Sequence, residues 1–143
     1  MYQNQFIGEL LGTLFLILFG CGVCGGASQK ASKSYNSGWI AITAGWGFAV
    51  VIGIFVSMAS GSQGGDINPV TTLMKYCLGK YESGWMVVAI IIAQLIGAFL
   101  GAVLVCLVYL PHWHQTESRV DKLSVFATTP AINNGFANYL SEA

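Results

Sequence analysis

Residues 60–79 read SGSQGGDINPVTTLMKYCLG, and how this stretch is read decides the fold. Ser60 to Asp66 is polar and rich in glycine, the composition of a loop. Asn68-Pro69 then opens a moderately apolar segment, Val70 to Leu78, that stops at Gly79. Asn suits an N-cap, Pro the first helical position, and Gly the residue just past a helix end, so the spacing predicts a helix over about 68–79. A helix of about ten residues rises roughly 15 Å, half the thickness of a bilayer's hydrocarbon core.

The sequence on either side makes that half-length significant. Three apolar stretches, about 6–26, 39–59 and 85–110, each reach the roughly 20 residues a membrane span requires. Hydrophobic residues make up 55% of the 143 and charged residues 8%, against roughly 25% charged in soluble domains. Six basic and six acidic side chains cancel, so nothing in the charge points to nucleic acid. The 18 glycines point to closely packed membrane helices, with Gly8 and Gly12, and Ala93, Gly97 and Gly101, each placing small residues on one helix face; the other reading is that glycine is simply common in membrane helices. Met1 to Gln5 carry no Lys or Arg and the run that follows is too long for a signal peptide, so the first span is expected to be retained. Basic residues do not set the orientation: with a cytoplasmic N-terminus, Lys30, Lys33, Arg119 and Lys122 of the six would lie outside, against the positive-inside tendency.

Irregular backbone at membrane depth persists only when buried in protein or lining a watery cavity. Gly64, Gly65, Asp66 and Ile67 must make that passage, leaving carbonyls without helical partners. Lined along a pore, those carbonyls accept hydrogen bonds from water or an alcohol hydroxyl. The Asn68 amide donates beside the positive end of the short helix's dipole, which also disfavours cations.

Four ordered stretches resemble one family. FIGELLGT (Phe6–Thr13) looks like the first-helix signature of the major intrinsic proteins, the aquaporins and glycerol facilitators, and GWGFAV (Gly45–Val50) is similar to their second helix. GDINPVTT (Gly65–Thr72) resembles their first Asn-Pro-Ala loop, and QLIGA (Gln94–Ala98) their third-helix pattern. The resemblance implies an all-α integral membrane fold. Residues 1–110 would form the first aquaporin repeat, 111–134 a connecting loop, and 135–143 the start of a second repeat, where Phe136, Leu140 and Glu142 are similar to Phe6, Gly8 and Glu9.

It also implies roles. Asn68 and Pro69 would centre the pore, with Gly64, Gly65 and Asp66 lining it, and Glu9 and Gln94 would give structural support. Glu9, an acid within a span, is costly in lipid unless paired, and in the family the matching acid holds the pore loop by its backbone N–H groups. Trp46 aligns with the aromatic of the narrow filter, where glycerol-conducting members carry Trp. A broad indole suits a polyol's carbon backbone; the other reading of Trp46 is an interfacial anchor. Phe48 is the runner-up, and Trp39 and Trp85, at span ends, read as interfacial anchors.

Departures from the family pattern are Val70, where Ala is usual, and Asp66, where His is common and where a new charge would stand near the pore mouth. The second Asn-Pro half-helix and the filter arginine are absent, the sole Arg being Arg119, so the chain is expected to be incomplete.

The function so implied is passive passage of glycerol or other small polyols, and water, across a bilayer, by a protein that assembles as a homotetramer when whole. The alternative is a non-conducting truncated protein that only associates with other subunits. An ion-coupled transporter would need a coupling acid, for which Asp66 is the candidate. No nucleophile–base pair, phosphate loop or cofactor motif suggests an enzyme, and no cofactor or metal is expected. Two imidazoles at His112 and His114 could share an ion in an extended strand, but no further ligand lies near them in the sequence, so both read as solvent-facing loop residues. Cys21 and Cys24, spaced CxxC, read as packing residues, as do Cys77 and Cys106 on segments that look buried.

Overall fold

A computed structural model describes residues 2–142. Met1 and Ala143, the outer ends of the units 1–110 and 135–143, lie outside the described residues. Among the described residues, three helices are long and apolar enough to cross a membrane: α1 (Tyr2–Ser28), α2 (Gly38–Ala59) and α4 (Gly84–Val108). Between the last two lies α3 (Pro69–Cys77), nine residues long. The described residues are otherwise helix, turn and loop, with no strand. The protein is a multi-pass integral membrane protein.

Local chemistry sets the ends of α3. Asn68 is its N-cap, in extended backbone, and its side chain accepts from the Val70 N–H at 2.9 Å. Beyond the C-cap Leu78, Gly79 takes φ +70°. The Gly79 N–H then reaches the Tyr76 carbonyl and the Lys80 N–H that of Lys75, at 2.9 Å each, the paired reverse bonds of a Schellman ending.

α1 packs along both α2 and α4, while α3 touches α4. Small residues set that closeness. Gly8 and Gly12 face α2, where a Cβ on Gly12 would stand 2.5 Å from the Ser57 Cβ and 2.7 Å from the Gly53 carbonyl oxygen. On α4, Gly97 and Gly101 abut the backbone of Leu10 and Leu14, and a Cβ on Gly101 would lie 2.6 Å from the Leu14 carbonyl oxygen. These backbones meet at distances only glycine permits, the packing that holds membrane helices together. Gly101→Val is therefore expected to push α1 from α4 at a cost of about 1–3 kcal/mol. A fall in the melting temperature in detergent would report it, and unchanged melting would contradict it.

The segment after α4 differs from a plain loop. It holds two short helices, α5 (Leu110–Gln115) and α6 (Arg119–Leu123), and a last one, α7 (Gly135–Glu142), follows. Its apolar side chains supply the reason. Val125 is buried with Cys21 and Val105, and Trp113 packs against that cluster, so the segment folds back over the ends of α1 and α4. Polar ties hold it there. Gln29, fully buried, donates to the Asp121 carbonyl at 2.9 Å, and the Lys30 N–H donates to Thr116 Oγ1 at 2.9 Å.

Two further expectations are corrected. His112 and His114 lie on helix α5 rather than in a loop, and residues two apart on a helix point about 200° from one another; His114 is exposed, as read from the sequence. His112 is half-buried and its Nδ1 sits 3.0 Å from the Lys30 carbonyl oxygen. Cys77 is exposed, because α3 buries only Thr72 and leaves its other sides open.

Candidate pore site

Glu9 organises the site. Its side chain is fully buried among α1, α2, α4 and the loop 60–68. Oε1 accepts from Ser57 Oγ at 3.1 Å, Ser62 Oγ at 2.5 Å and the Asp66 N–H at 2.9 Å. Oε2 accepts from the Ile67 N–H at 2.7 Å and Gln94 Nε2 at 2.8 Å. A carboxylate only accepts, with about four lone-pair sites on its two oxygens, so five donors saturate it and the three on Oε1 share its lone pairs. Gln5 extends the anchor, donating to Ser62 Oγ at 3.1 Å and accepting from the Gln63 N–H at 2.8 Å.

Peptide geometry turns this anchoring into a direction for the carbonyls. Among the described residues no peptide bond is cis, and in a trans peptide the N–H and the preceding C=O point opposite ways. With the Asp66 and Ile67 N–H groups aimed at Glu9, the Gly65 and Asp66 carbonyls point away from it. Positive φ at Gly65 (+54°) and Ile67 (+43°) lets the chain bend so that both N–H groups reach one carboxylate. For Ile67 this is a conformation that a β-branched residue rarely adopts, and the Glu9 bond holds it. Among the described residues, no donor reaches the carbonyls of Gly65, Asp66 or Ile67.

Gly64 stands apart from that row. Its carbonyl accepts from Lys75 Nζ at 3.1 Å, so it is partnered within the chain. Nor does the Asp66 carboxylate stand as a free charge at a mouth. Asp66 is 3% exposed, and its carboxylate turns inward to an ion pair with Lys75, with Thr72 Oγ1 at 2.9 Å and the Tyr81 hydroxyl at 2.7 Å. A buried carboxylate needs such donors to offset its lost hydration. Burial, and then the bond to Asp66, push the Tyr81 phenol well above its ordinary range, which keeps it a donor. Gln94 closes the network by donating to Thr72 Oγ1 at 3.0 Å as well as to Glu9. Sequence reasoning missed Ser57, Ser62, Thr72, Lys75 and Tyr81. Lys75 carried a usable signal, since a lysine within a short apolar membrane segment demands a partner.

Asn68 is exposed, and its Oδ1 is committed to the Val70 N–H. That leaves the Nδ2 hydrogens without an acceptor among the described residues, at the positive end of α3. Pro69 follows as the first residue of that helix.

Trp46 lies further along α2, its ring packed on Gly20 and its Nε1–H donating to Cys24 Sγ at 3.3 Å. With that donor committed, the indole offers a face rather than a hydrogen bond. It lines a groove of about 620 Å³ together with Trp39, Thr43, Ser124, Thr128 and Thr129. Gly65 touches Ile54 on the same helix, and the eight residues from Trp46 to Ile54 rise about 12 Å. The groove and the loop thus lie at different depths along α2. Phe48, by contrast, is 69% exposed.

A model of the family described as "Major intrinsic protein" matches residues 1–141. The chain belongs to the major intrinsic protein family. Similar proteins include the glycerol uptake facilitator protein of Bacillus subtilis, 44% identical over 98% of this chain and 50% of the relative. Glycerol uptake facilitator protein 3 of Lactiplantibacillus plantarum is 41% identical over 96% of this chain and 56% of its own length. The glycerol uptake facilitator protein of Streptococcus pneumoniae serotype 4 is 40% identical over 98% of this chain and 58% of its own. The chain spans about half the length of the curated relatives it matches. These relatives are named for uptake of a solute. The helical architecture is that of the first repeat of a major intrinsic protein.

Proposed function

We propose that this major intrinsic protein belongs to a passive channel for glycerol and similar small neutral solutes, water among them, and that it catalyses no reaction. The observation that carries the reading is the row of free carbonyls at Gly65, Asp66 and Ile67 beside the free amide of Asn68. Backbone carbonyls at membrane depth that are left without donors are costly, so they call for donors from outside the chain. A solute bearing hydroxyls supplies donors to the carbonyls and an oxygen to the amide. A monovalent cation would give the carbonyls charge but would meet the positive end of α3 and the Asn68 hydrogens.

In this reading Asn68 and Pro69 centre the path, and Gly65 and Asp66 line it through their backbone. Glu9 and Gln94 support it from behind, and Trp46 presents an apolar wall for a carbon backbone. The names of the relatives support glycerol as the solute, and the family resemblance supports assembly as a homotetramer with a pore in each subunit.

Vesicles bearing the gene product that contains this sequence are expected to swell in a glycerol gradient faster than empty vesicles. Swelling at the rate of empty vesicles would overturn the reading and favour a non-conducting membrane protein that only associates with other subunits. Trp46→Ala tests the wall. With the indole removed, water flux is expected to persist while the ratio of glycerol to water flux falls roughly tenfold, a loss of the size expected for an aromatic contact plus its buried area. An unchanged ratio would remove Trp46 from the path.

A further inference from the structure

Asp66 is held from two sides. Its backbone N–H goes to Glu9 on α1, and its side chain goes the other way, to Thr72 and Lys75 on α3 and to Tyr81 in the segment between α3 and α4. Among the described residues, Lys75–Asp66 is the one ion pair between side chains. Lys75 also donates to the Gly64 carbonyl at 3.1 Å, so one ammonium joins two points on either side of Gly65. Gly64 and Gly65 carry no side chains to restrain the peptide between them; its N–H edge donates to Ser62 Oγ at 3.0 Å, and among the described residues Lys75 is the only donor that holds its other edge, the carbonyl of Gly64.

We propose that Lys75 is a positioning residue for conduction. Its ammonium fixes the peptide planes that lead into the free carbonyl row and compensates the Asp66 charge beside the route of a neutral solute. Thr72 and Tyr81 bond the same carboxylate but are neutral, and neither reaches the Gly64 carbonyl (Thr72 Oγ1 lies 3.3 Å from that of Asn68), so neither substitutes for it. This inference rests on the channel reading and assigns the device that holds its entry loop in register. The surrounding burial sharpens the effect. The Asp66 side chain is inaccessible and that of Lys75 is 26% accessible, so loss of the lysine leaves a charge with little water to solvate it.

The test uses vesicles bearing the whole gene product, with glycerol-driven swelling expressed per folded protein and melting in detergent followed in parallel. Lys75→Met is expected to lower that rate roughly tenfold or more, since displacing positioned groups by about 1 Å has effects of this size or larger. Lys75→Arg, which keeps the charge, is expected to return most of the rate. Asp66→Asn combined with Lys75→Met is expected to conduct better than Lys75→Met alone, because the uncompensated carboxylate is gone; such non-additivity marks a coupled pair. Wild-type rates per folded protein in Lys75→Met would overturn the proposal, as would a double variant that conducts no better than Lys75→Met. Wild-type vesicles that swell no faster than empty ones would sink the channel reading itself, an outcome separate from either.

Discussion

Glu9→Ala is expected to abolish glycerol-driven swelling and to lower the melting temperature in detergent more than any other single change considered for this chain. Five donors converge on the carboxylate: two backbone N–H groups, two serine hydroxyls and one amide. Each buried donor left without an acceptor costs about 1–3 kcal/mol. Even with partial rearrangement, the sum reaches several kcal/mol, a large share of the 5–15 kcal/mol typical of a folded protein. Alanine would also free the Asp66 and Ile67 N–H groups, and with them the opposed carbonyls of Gly65 and Asp66, so the row loses its common direction. Glu9→Gln is expected to fall between: it keeps the shape but offers one accepting oxygen and adds two N–H donors among groups that already donate. Swelling assays with melting curves on both variants check the ordering. Wild-type swelling by Glu9→Ala would mean that the loop holds its course without the acid.

The second large effect separates two jobs done by Asn68. Its Oδ1 caps α3 through the Val70 N–H, while its Nδ2 hydrogens are free. Asn68→Asp keeps the cap, because a carboxylate accepts that N–H and suits the positive end of a helix. The same change removes both free donors and places a negative charge where a solute's oxygen would arrive. The variant is therefore expected to melt within about 1 kcal/mol of the wild-type stability, yet to pass glycerol at least roughly tenfold more slowly, the usual cost of losing a hydrogen bond to a buried or confined partner. Asn68→Ala is expected to lose both properties, with the cap costing about 0.5–2 kcal/mol. Retention of glycerol flux in Asn68→Asp would show that the amide hydrogens do not meet the solute.

Much of the candidate site's local structure was legible because its signals are local. Asn68-Pro69 and Gly79 are boundary residues whose effects act within a helical turn, and the ends of α3 follow from them. Glu9 was conspicuous because an acid inside a 27-residue apolar helix has to find donors. The identity of those donors was not legible. Ser57 and Gln94 lie 48 and 85 residues from Glu9 in sequence, and no local rule links such positions. Asp66 shows the same limit from the other side. As a lone acid in a glycine-rich loop it reads as an exposed charge. Only the folded chain brings Thr72, Lys75 and Tyr81 around it and turns it inward. Gly64 follows Asp66, since the lysine that neutralises the acid also takes the glycine's carbonyl.

By itself, the sequence determined that this protein lives in a bilayer, because three long apolar runs and few charges leave no other solvent in which the chain can bury its surface. It also determined that a half-length helix begins at Pro69, because capping is decided by neighbouring residues. Only the tertiary structure decided which way the loop's carbonyls point, since that direction is set by N–H groups bonding to a carboxylate on another helix. It likewise decided that the segment after α4 folds back over α1, with Val125 and Trp113 packed on Cys21 and Val105. Both outcomes depend on contacts between residues far apart in the chain, and the close approach of α1 to its neighbours, which glycine makes possible, brings those residues within reach.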